Sequence, residues 1–344
     1  MPNNRMQNRP LLATAAETHT SARRPGRAGS AFPPFRALLT RALARALARA
    51  LAAALVALLA VVPAASAAAQ EKVDKRYATS SDVSVRLSGS IGSLRIVGWE
   101  RDSVAVTGSL PAGVRLEGGV GGDGRAPARG VKMYLDSPND LATSTGALEL
   151  RVPRGARVWV KSGTADIDAR DVTGGLDLNV IGGRVTVTGS PRELQIEAMD
   201  AAVTIDGSPE WLRAKTASGD ITVRGGSNDL GLTSVSGALK VEGGSVARGR
   251  LETVTGAITF AATPSPAGAL DFDSHSGTVD LALSERTGFA LTASSITGAV
   301  ENRFNRTRPS VGREGRGAEL ALDSGNNSAR ITIRTFRGTI VVHR

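Results

Sequence analysis

From Ala147 onward, short bursts of alternating apolar and polar residues recur, each opened by a glycine. Residues 216–226, T-A-S-G-D-I-T-V-R-G-G, show the phrase: a Ser-Gly turn, then Ile221 and Val223 two residues apart, then another glycine break. With the turn glycine as marker, apolar residues fall two and four positions later. The phrases open at Gly92 (S-L-R-I), Gly146 (A-L-E-L), Gly163 (T-A-D-I), Gly183 (R-V-T-V), Gly219 (D-I-T-V), Gly237 (A-L-K-V), Gly256 (A-I-T-F), Gly277 (T-V-D-L), Gly298 (A-V-E-N) and Gly338 (T-I-V-V), with Ala201 (A-V-T-I) once in the marker place. From 146 the intervals are 17, 20, 18, 18, 18, 19, 21, 21 and 40, the last equal to two periods with one degraded copy.

A second strand precedes each marker, with apolar pairs such as Leu194/Ile196, Leu230/Leu232 and Leu270/Phe272. Serine or threonine stands three positions before the marker (Thr216, Ser234, Thr253, Ser274, Ser295) and again one before (Ser218, Ser236, Thr255, Ser276, Thr297). Period-two alternation with a turn every half repeat is an all-β signal, and self-similarity near 20 residues predicts a stack of repeats. Four aliphatic side chains per unit fall far short of the entropy lost in ordering its backbone, so a unit folds only against its neighbours. The expected fold is a single-stranded parallel β-solenoid (β-helix) of about 10 rungs of 18–21 residues. Parallel crossovers make it right-handed. Gly219 supplies backbone freedom at a corner, and the Ser/Thr columns hydrogen-bond from rung to rung.

The net charge of +10 changes this picture little, because +8 of it lies in residues 1–69. No nucleic-acid partner follows from it. Arginines 36, 41, 45 and 49 precede an apolar run, Leu51–Val62, then Pro63 and small residues, the order of a secretion signal. Cleavage is expected near Ala69 and Gln70, with a membrane contact only through this leader if it stays uncleaved. Export to the periplasm, cell surface or medium follows, and with no cysteine the fold must stand without disulfides. Residues 1–69 thus form the leader and residues 70–344 one domain, with glycine-rich and arginine-rich loops at 112–130 and 305–318.

Three stretches carry a family resemblance: S-G-S-I-G-S-L-R-I-V-G-W-E-R-D-S-V-A-V near the start of that domain, L-E-L-R-V-P-R-G-A-R-V-W-V-K-S-G-T-A-D-I, and the recurring S-G-D-I. Together they resemble the "putative adhesin" family carrying domain of unknown function 4097, over most of residues 80–344. The resemblance implies a secreted or surface-exposed β-solenoid with an adhesion or scaffold role. It also suggests, as an alternative, an accessory component of envelope-stress sensing. The family has no established catalytic motif, so it transfers no site residue.

Catalytic, metal and cofactor sites are expected to be none. The glycine pairs lack the repeated third glycine and aspartate of calcium-binding β-rolls. The three histidines are His19, His275 and His343, and only His275, in D-F-D-S-H-S-G, lies inside the repeat. The alternative function is a polysaccharide-active β-helix enzyme using paired carboxylates. Its candidates are Asp280 with Glu301, and Glu252 with Asp273, each placed on adjacent rungs at the roughly 5 Å strand spacing, which suits a retaining glycosidase. Binding candidates are the loop arginines Arg303, Arg306, Arg308, Arg313 and Arg316, which suit anionic glycans or lipid headgroups, and Trp159, which suits a sugar ring. Trp99 and Trp211 share that chemistry, with packing against a rung corner as the alternative for all three. The expected partner is an envelope glycan or surface polymer; the oligomeric state is open.

Overall fold

Aliphatic residues two apart put one side of each strand into a core and leave the other in solvent. The computed structural model describes residues 70–121, 127–137, 146–312, 315–325 and 329–344, and its regular structure is all-β. The strands belong to one compact unit, Ser66–Arg344. In chain order they are β1 (Glu71–Ser88), β2 (Ser93–Trp99), β3 (Ser103–Leu110), β4 (Arg115–Val120), β5 (Ala128–Asp136), β6 (Ala147–Pro153), β7 (Arg157–Arg170), β8 (Gly175–Thr188), β9 (Glu193–Ala198), β10 (Ala202–Asp206) and β11 (Trp211–Thr216). They continue as β12 (Ile221–Arg224), β13 (Ser227–Ser234), β14 (Leu239–Thr253), β15 (Ile258–Ser274), β16 (Val279–Ala282), β17 (Phe289–Ser295), β18 (Val300–Asn302), β19 (Ser310–Val311), β20 (Ala318–Asp323), β21 (Ala329–Thr335) and β22 (Ile340–His343).

Through the middle of the chain each strand pairs in parallel with its counterpart one repeat later. Ile221 lies opposite Leu239, Leu239 opposite Ile258, and Ile258 opposite Val279. On the companion ladder Leu194, Leu212 and Leu230 lie in one row. These side chains are buried and belong to one continuous core. Phe260 and Phe272 meet edge to face at 5.4 Å within it. The arrangement is β-solenoid-like, with the core inside the stacked turns.

The corners explain two of the sequence columns. Gly219 does not have a positive φ, so backbone freedom is not why glycine stands there. A Cβ on Gly219 would run into the carbonyl oxygen of Ala201, and the same holds for Gly237 on Gly219, Gly256 on Gly237 and Gly277 on Gly256. Close approach of successive turns is the constraint. The buried hydroxyls act mostly within their own corner: Ser234 Oγ accepts from Gly237 N at 2.9 Å and Thr253 Oγ1 from Gly256 N at 3.0 Å. The exposed hydroxyls bridge turns as expected: Ser236, Thr255 and Ser276 donate to the carbonyls of Ala217, Val235 and Val254 at 3.3–3.4 Å.

Three features of the expected organisation change. Gly163 is out of register: Gly183 lies opposite Ala165, because β7 and β8 pass straight through the corner as continuous strands. Ala165 therefore holds the marker place, and the irregular intervals on either side become regular. The interval of 40 contains no degraded copy. Instead β17 pairs with β21 and β18 with β22, while β21 and β22 pair onward to β15 and β16. The last repeat in the chain is thus inserted between its two predecessors. The other end mirrors this: β1 pairs in parallel with both β5 and β7, and β2 with both β6 and β7. The first repeat in sequence is second in space.

Antiparallel strands cover these ends. β3 joins β1 and β6, β4 joins β5, and β20 joins β17 and β19. The segment expected as a loop at 112–130 therefore contains β4 and the start of β5, with residues 122–126 outside the described ones. The 305–318 loop contains the two-residue β19. The leader, residues 1–69 with Ala69, lies outside the described residues; Gln70 is exposed just before β1.

Candidate functional site

The inserted repeat decides the fate of the carboxylate pairs. Asp280 lies opposite Val341, and Val341 opposite Glu301. Asp280 and Glu301 are therefore two strand spacings apart, about 10 Å, and the expectation of adjacent rungs was wrong because β22 comes between. Asp280 accepts from His343 Nε2 at 2.8 Å, and Glu301 from Arg303 at 2.6 Å. Glu252 and Asp273 do lie opposite one another. Each carries its own cation, Arg250 at 2.5 Å and Arg334 at 2.8 Å. Neither pair stands as a free acid beside a free base.

The loop arginines also divide. Arg303 is tied to Glu301, while Arg306, Arg308 and Arg316 are exposed. Arg313 lies outside the described residues. The turn is built on Asn302, whose carbonyl oxygen accepts from Phe304 N at 3.0 Å and whose amide donates to Thr307 O at 2.7 Å. His275 is exposed and stacks flat on Phe336, centroids 5.0 Å apart.

The outward face of the ladder formed by β1, β7, β8, β9, β11, β13, β14, β15, β21 and β17 gathers chemistry that is scattered in sequence. Its middle column reads, strand by strand, Arg86, Trp159, Asp177, Gln195, Arg213, Gly231, Arg250 and Asp271. One column over, Arg157, Gly175, Glu193, Trp211, Asp229 and Arg248 align in the same way. Trp159 and Trp211 thus stand three strands apart, about 14 Å across the strands, and two residues, about 7 Å, apart along them, with Gly175, Asp177, Glu193 and Gln195 between them. They line a groove of about 540 Å³.

Trp211 is braced from one side, the Arg213 guanidinium carbon lying 4.7 Å from its ring centroid, a cation–π contact. Arg213 donates to Asp229 at 2.6 Å, and Arg248 donates to the same carboxylate at 3.2 Å. Burial pushes the Asp229 carboxyl up, but the two guanidiniums outweigh it and hold the group below the ordinary aspartate range. Beyond Trp211 a second hollow of about 430 Å³, floored by Gly231 and Gly249, continues the groove along the stack. Inside the first groove, partial burial raises the Asp177 carboxyl above its ordinary value, offset in part by the Asn179 amide donating at 2.6 Å. Trp99 lies elsewhere, with Arg76, Arg101 and Arg151 around its ring at 5.3–6.0 Å and its indole N–H on Ser103 O. Sequence reasoning put Trp159 among the binding candidates and gave Trp211 the same sugar-stacking chemistry with packing as the alternative, but did not bring the two together. Aligning the outward positions of the first strand of each repeat would have joined them.

Residues 141–343 match the family described as Toastrack DUF4097, and the chain belongs to that family. No curated protein matches the chain. Among solved structures, it is similar to a "putative cell adhesion protein" from Clostridium sporogenes at 12% identity and TM-score 0.23, over 79% of this chain and 99% of that one. It is also similar to a "putative lipid binding protein" from Parabacteroides distasonis at 12% identity and TM-score 0.41, over 80% and 97%. A "putative adhesin" from Bacteroides fragilis is similar at 10% identity and TM-score 0.35, over 80% and 98%. Among the described residues, no helix is long and apolar enough to cross a membrane.

Proposed function

We propose that this protein is an exported, non-enzymatic β-solenoid of the cell envelope or surface, whose strand face binds a glycan chain in the Trp159–Trp211 groove. The scaffold is a right-handed single-stranded solenoid with about ten rungs of 18–21 residues. The leader pattern supports export. The observation that carries the binding role is the pair of tryptophans three strands apart, with a glycine, two acids and an amide between them. Indole faces pack on the apolar faces of sugar rings, while carboxylates and amides satisfy their hydroxyls. Strands repeat every ~4.8 Å along the stack, so an extended chain lying along it meets a new strand's polar groups at each such step. The arginine partners of Glu252 and Asp273, and the strand between Asp280 and Glu301, favour binding over hydrolysis.

Calorimetric titration with envelope polysaccharides and their fragments tests this. Trp159→Ala and Trp211→Ala should each weaken binding by about tenfold, the effect of losing one aromatic stacking contact. Glu301→Gln should leave it unchanged. Wild-type affinity in both tryptophan variants, or turnover of the bound glycan, refutes the reading.

A further inference from the structure

One corner of the stack carries an apolar ridge broken by one polar residue, His275. Of the nine large hydrophobic side chains exposed among the described residues, six occupy a single repeat position: Ile181, Met199, Val235, Val254, Ile296 and Phe336, 44–57% exposed. Ala217 and His275 fill the same position on the two remaining turns. Backbone bonds join neighbouring turns at this corner: Met199 N to Ile181 O at 3.2 Å, Ala217 N to Met199 O at 3.0 Å, and Val235 N to Ala217 O at 3.2 Å. Further along, Val254 N bonds Val235 O at 3.2 Å and Thr297 N bonds Phe336 O at 2.8 Å. In space the order ends His275, Phe336, Ile296, because β21 is inserted before β17. Eight turns give a ridge about 34 Å long at ~4.8 Å per strand. Isolated exposed hydrophobics are ordinary, but an aligned row marks an interaction surface.

We propose that this ridge is the contact surface of an antiparallel homodimer of this chain. The argument is complementarity under a two-fold axis that crosses the ridge at its midpoint, between Val235 and Val254. A two-fold contact is isologous, so each turn meets its mirror position on the partner copy. Val235 then meets Val254, Met199 meets Phe336, and Ile181 meets Ile296. The smallest member, Ala217, meets the imidazole of His275. Two residues before the ridge runs an outward column that closes beside it: Glu197, Lys215, Thr233, Glu252, Asp273 and Arg334 in spatial order. The same operation sets Glu197 against Arg334 and Lys215 against Asp273, opposite charges in both cases, so the Arg334–Asp273 pair of one chain would extend into a four-charge network across the contact. A parallel arrangement would set this column against the hydroxyl column instead and bring no opposite charge to Glu197 or Lys215. A ridge one side chain wide does not reach the roughly 800 Å² per partner of a standard interface, so the charged column has to take part. The Trp159–Trp211 groove begins one outward column further from the ridge.

Sedimentation of the full chain across a concentration series tests the proposal. The wild type should form a dimer, and Val235→Asp should dissociate it while leaving the far-ultraviolet circular dichroism of the folded chain unchanged. Glu197→Arg and Arg334→Glu should each weaken dimerisation by at least about tenfold, one opposed charge pair per half-interface. Combined in one chain they should restore it to within about threefold, since the new charges face one another again. A wild type that stays monomeric, including one that instead binds neutral phosphatidylcholine vesicles, overturns the proposal. So does a dimer indifferent to Val235→Asp, or a double variant no better than the single ones.

Discussion

Between Gly175 and Ala282 the chain visits the turns in the order in which they stack; at both ends it does not. In the middle every strand finds its neighbour one repeat away, and a shift of 18–21 residues maps partner onto partner. At the ends the first and last repeats are tucked one turn inward, and antiparallel strands cover the outermost ones. The difference reflects what each region must solve. A middle strand is paired on both sides by its counterparts in the repeats before and after it, whereas a terminal turn would present an open edge. Inserting the terminal repeat pairs it on both edges and leaves short strands such as β18 and β19, with two or three residues, at the boundary. Head-to-tail growth into a filament, which open end turns would favour, is thereby disfavoured.

The largest expected effect separates the regions directly. Ending the chain after residue 328 removes β21 and β22, and with them four strand pairings at once. The resulting edges on β15 to β18 should drive association, read as light scattering at concentrations where the intact chain is clear. If the shortened chain stays dispersed and melts as before, the inserted repeat is not what closes this end. Next comes Gly237→Ala in the middle. Its Cβ would strike the Gly219 carbonyl, and neighbouring turns cannot yield without opening the ladder. A cost of about 3 kcal/mol is expected from such overpacking, measured by urea unfolding. Gly325→Ala, where the open space leaves only the left-handed φ of +104° to penalise, should cost about 1 kcal/mol.

The middle was legible because one rule, repeated, leaves an arithmetic trace. Ile221, Val223 and the Ser/Thr places before each marker were readable from spacing alone. The ends were not, since insertion changes which repeats touch without changing any repeat's own pattern. Asp280 and Glu301 are neighbours in period, but β22 separates them in space. Register within one long strand was hidden too: Gly163 looks like a marker, and only the straight run of β7 shows that Ala165 holds the place. The groove was half legible. Trp159 announced itself, but Trp211, Asp177 and Gln195 acquire meaning only when the outward columns are laid side by side. The ridge at Ile181, Met199 and Val235 obeyed the period, yet it breaks the inward-facing pattern on which the reading of apolar positions relied.

The smallest effect tests the end turn through a proton. His343, on the inserted β22, holds Asp280 of β16 through Nε2 at 2.8 Å. The bond to Asp280, with the Arg344 carbonyl on the other ring nitrogen, raises the imidazole above its ordinary value, against the opposing charge of Arg303. A raised imidazole stabilises the fold in full below the unfolded value near 6.5, and that stabilisation is lost as pH rises through the higher folded value. Both side chains are more than a third exposed, so solvent screening keeps the contribution well below about 1 kcal/mol. Wild type should therefore exceed His343→Asn in urea midpoint at about pH 5.5, and the gap should close by about pH 8.5. A gap that is constant across this range would mean that β22 is held by its ladder alone and the ion pair adds nothing to the insertion.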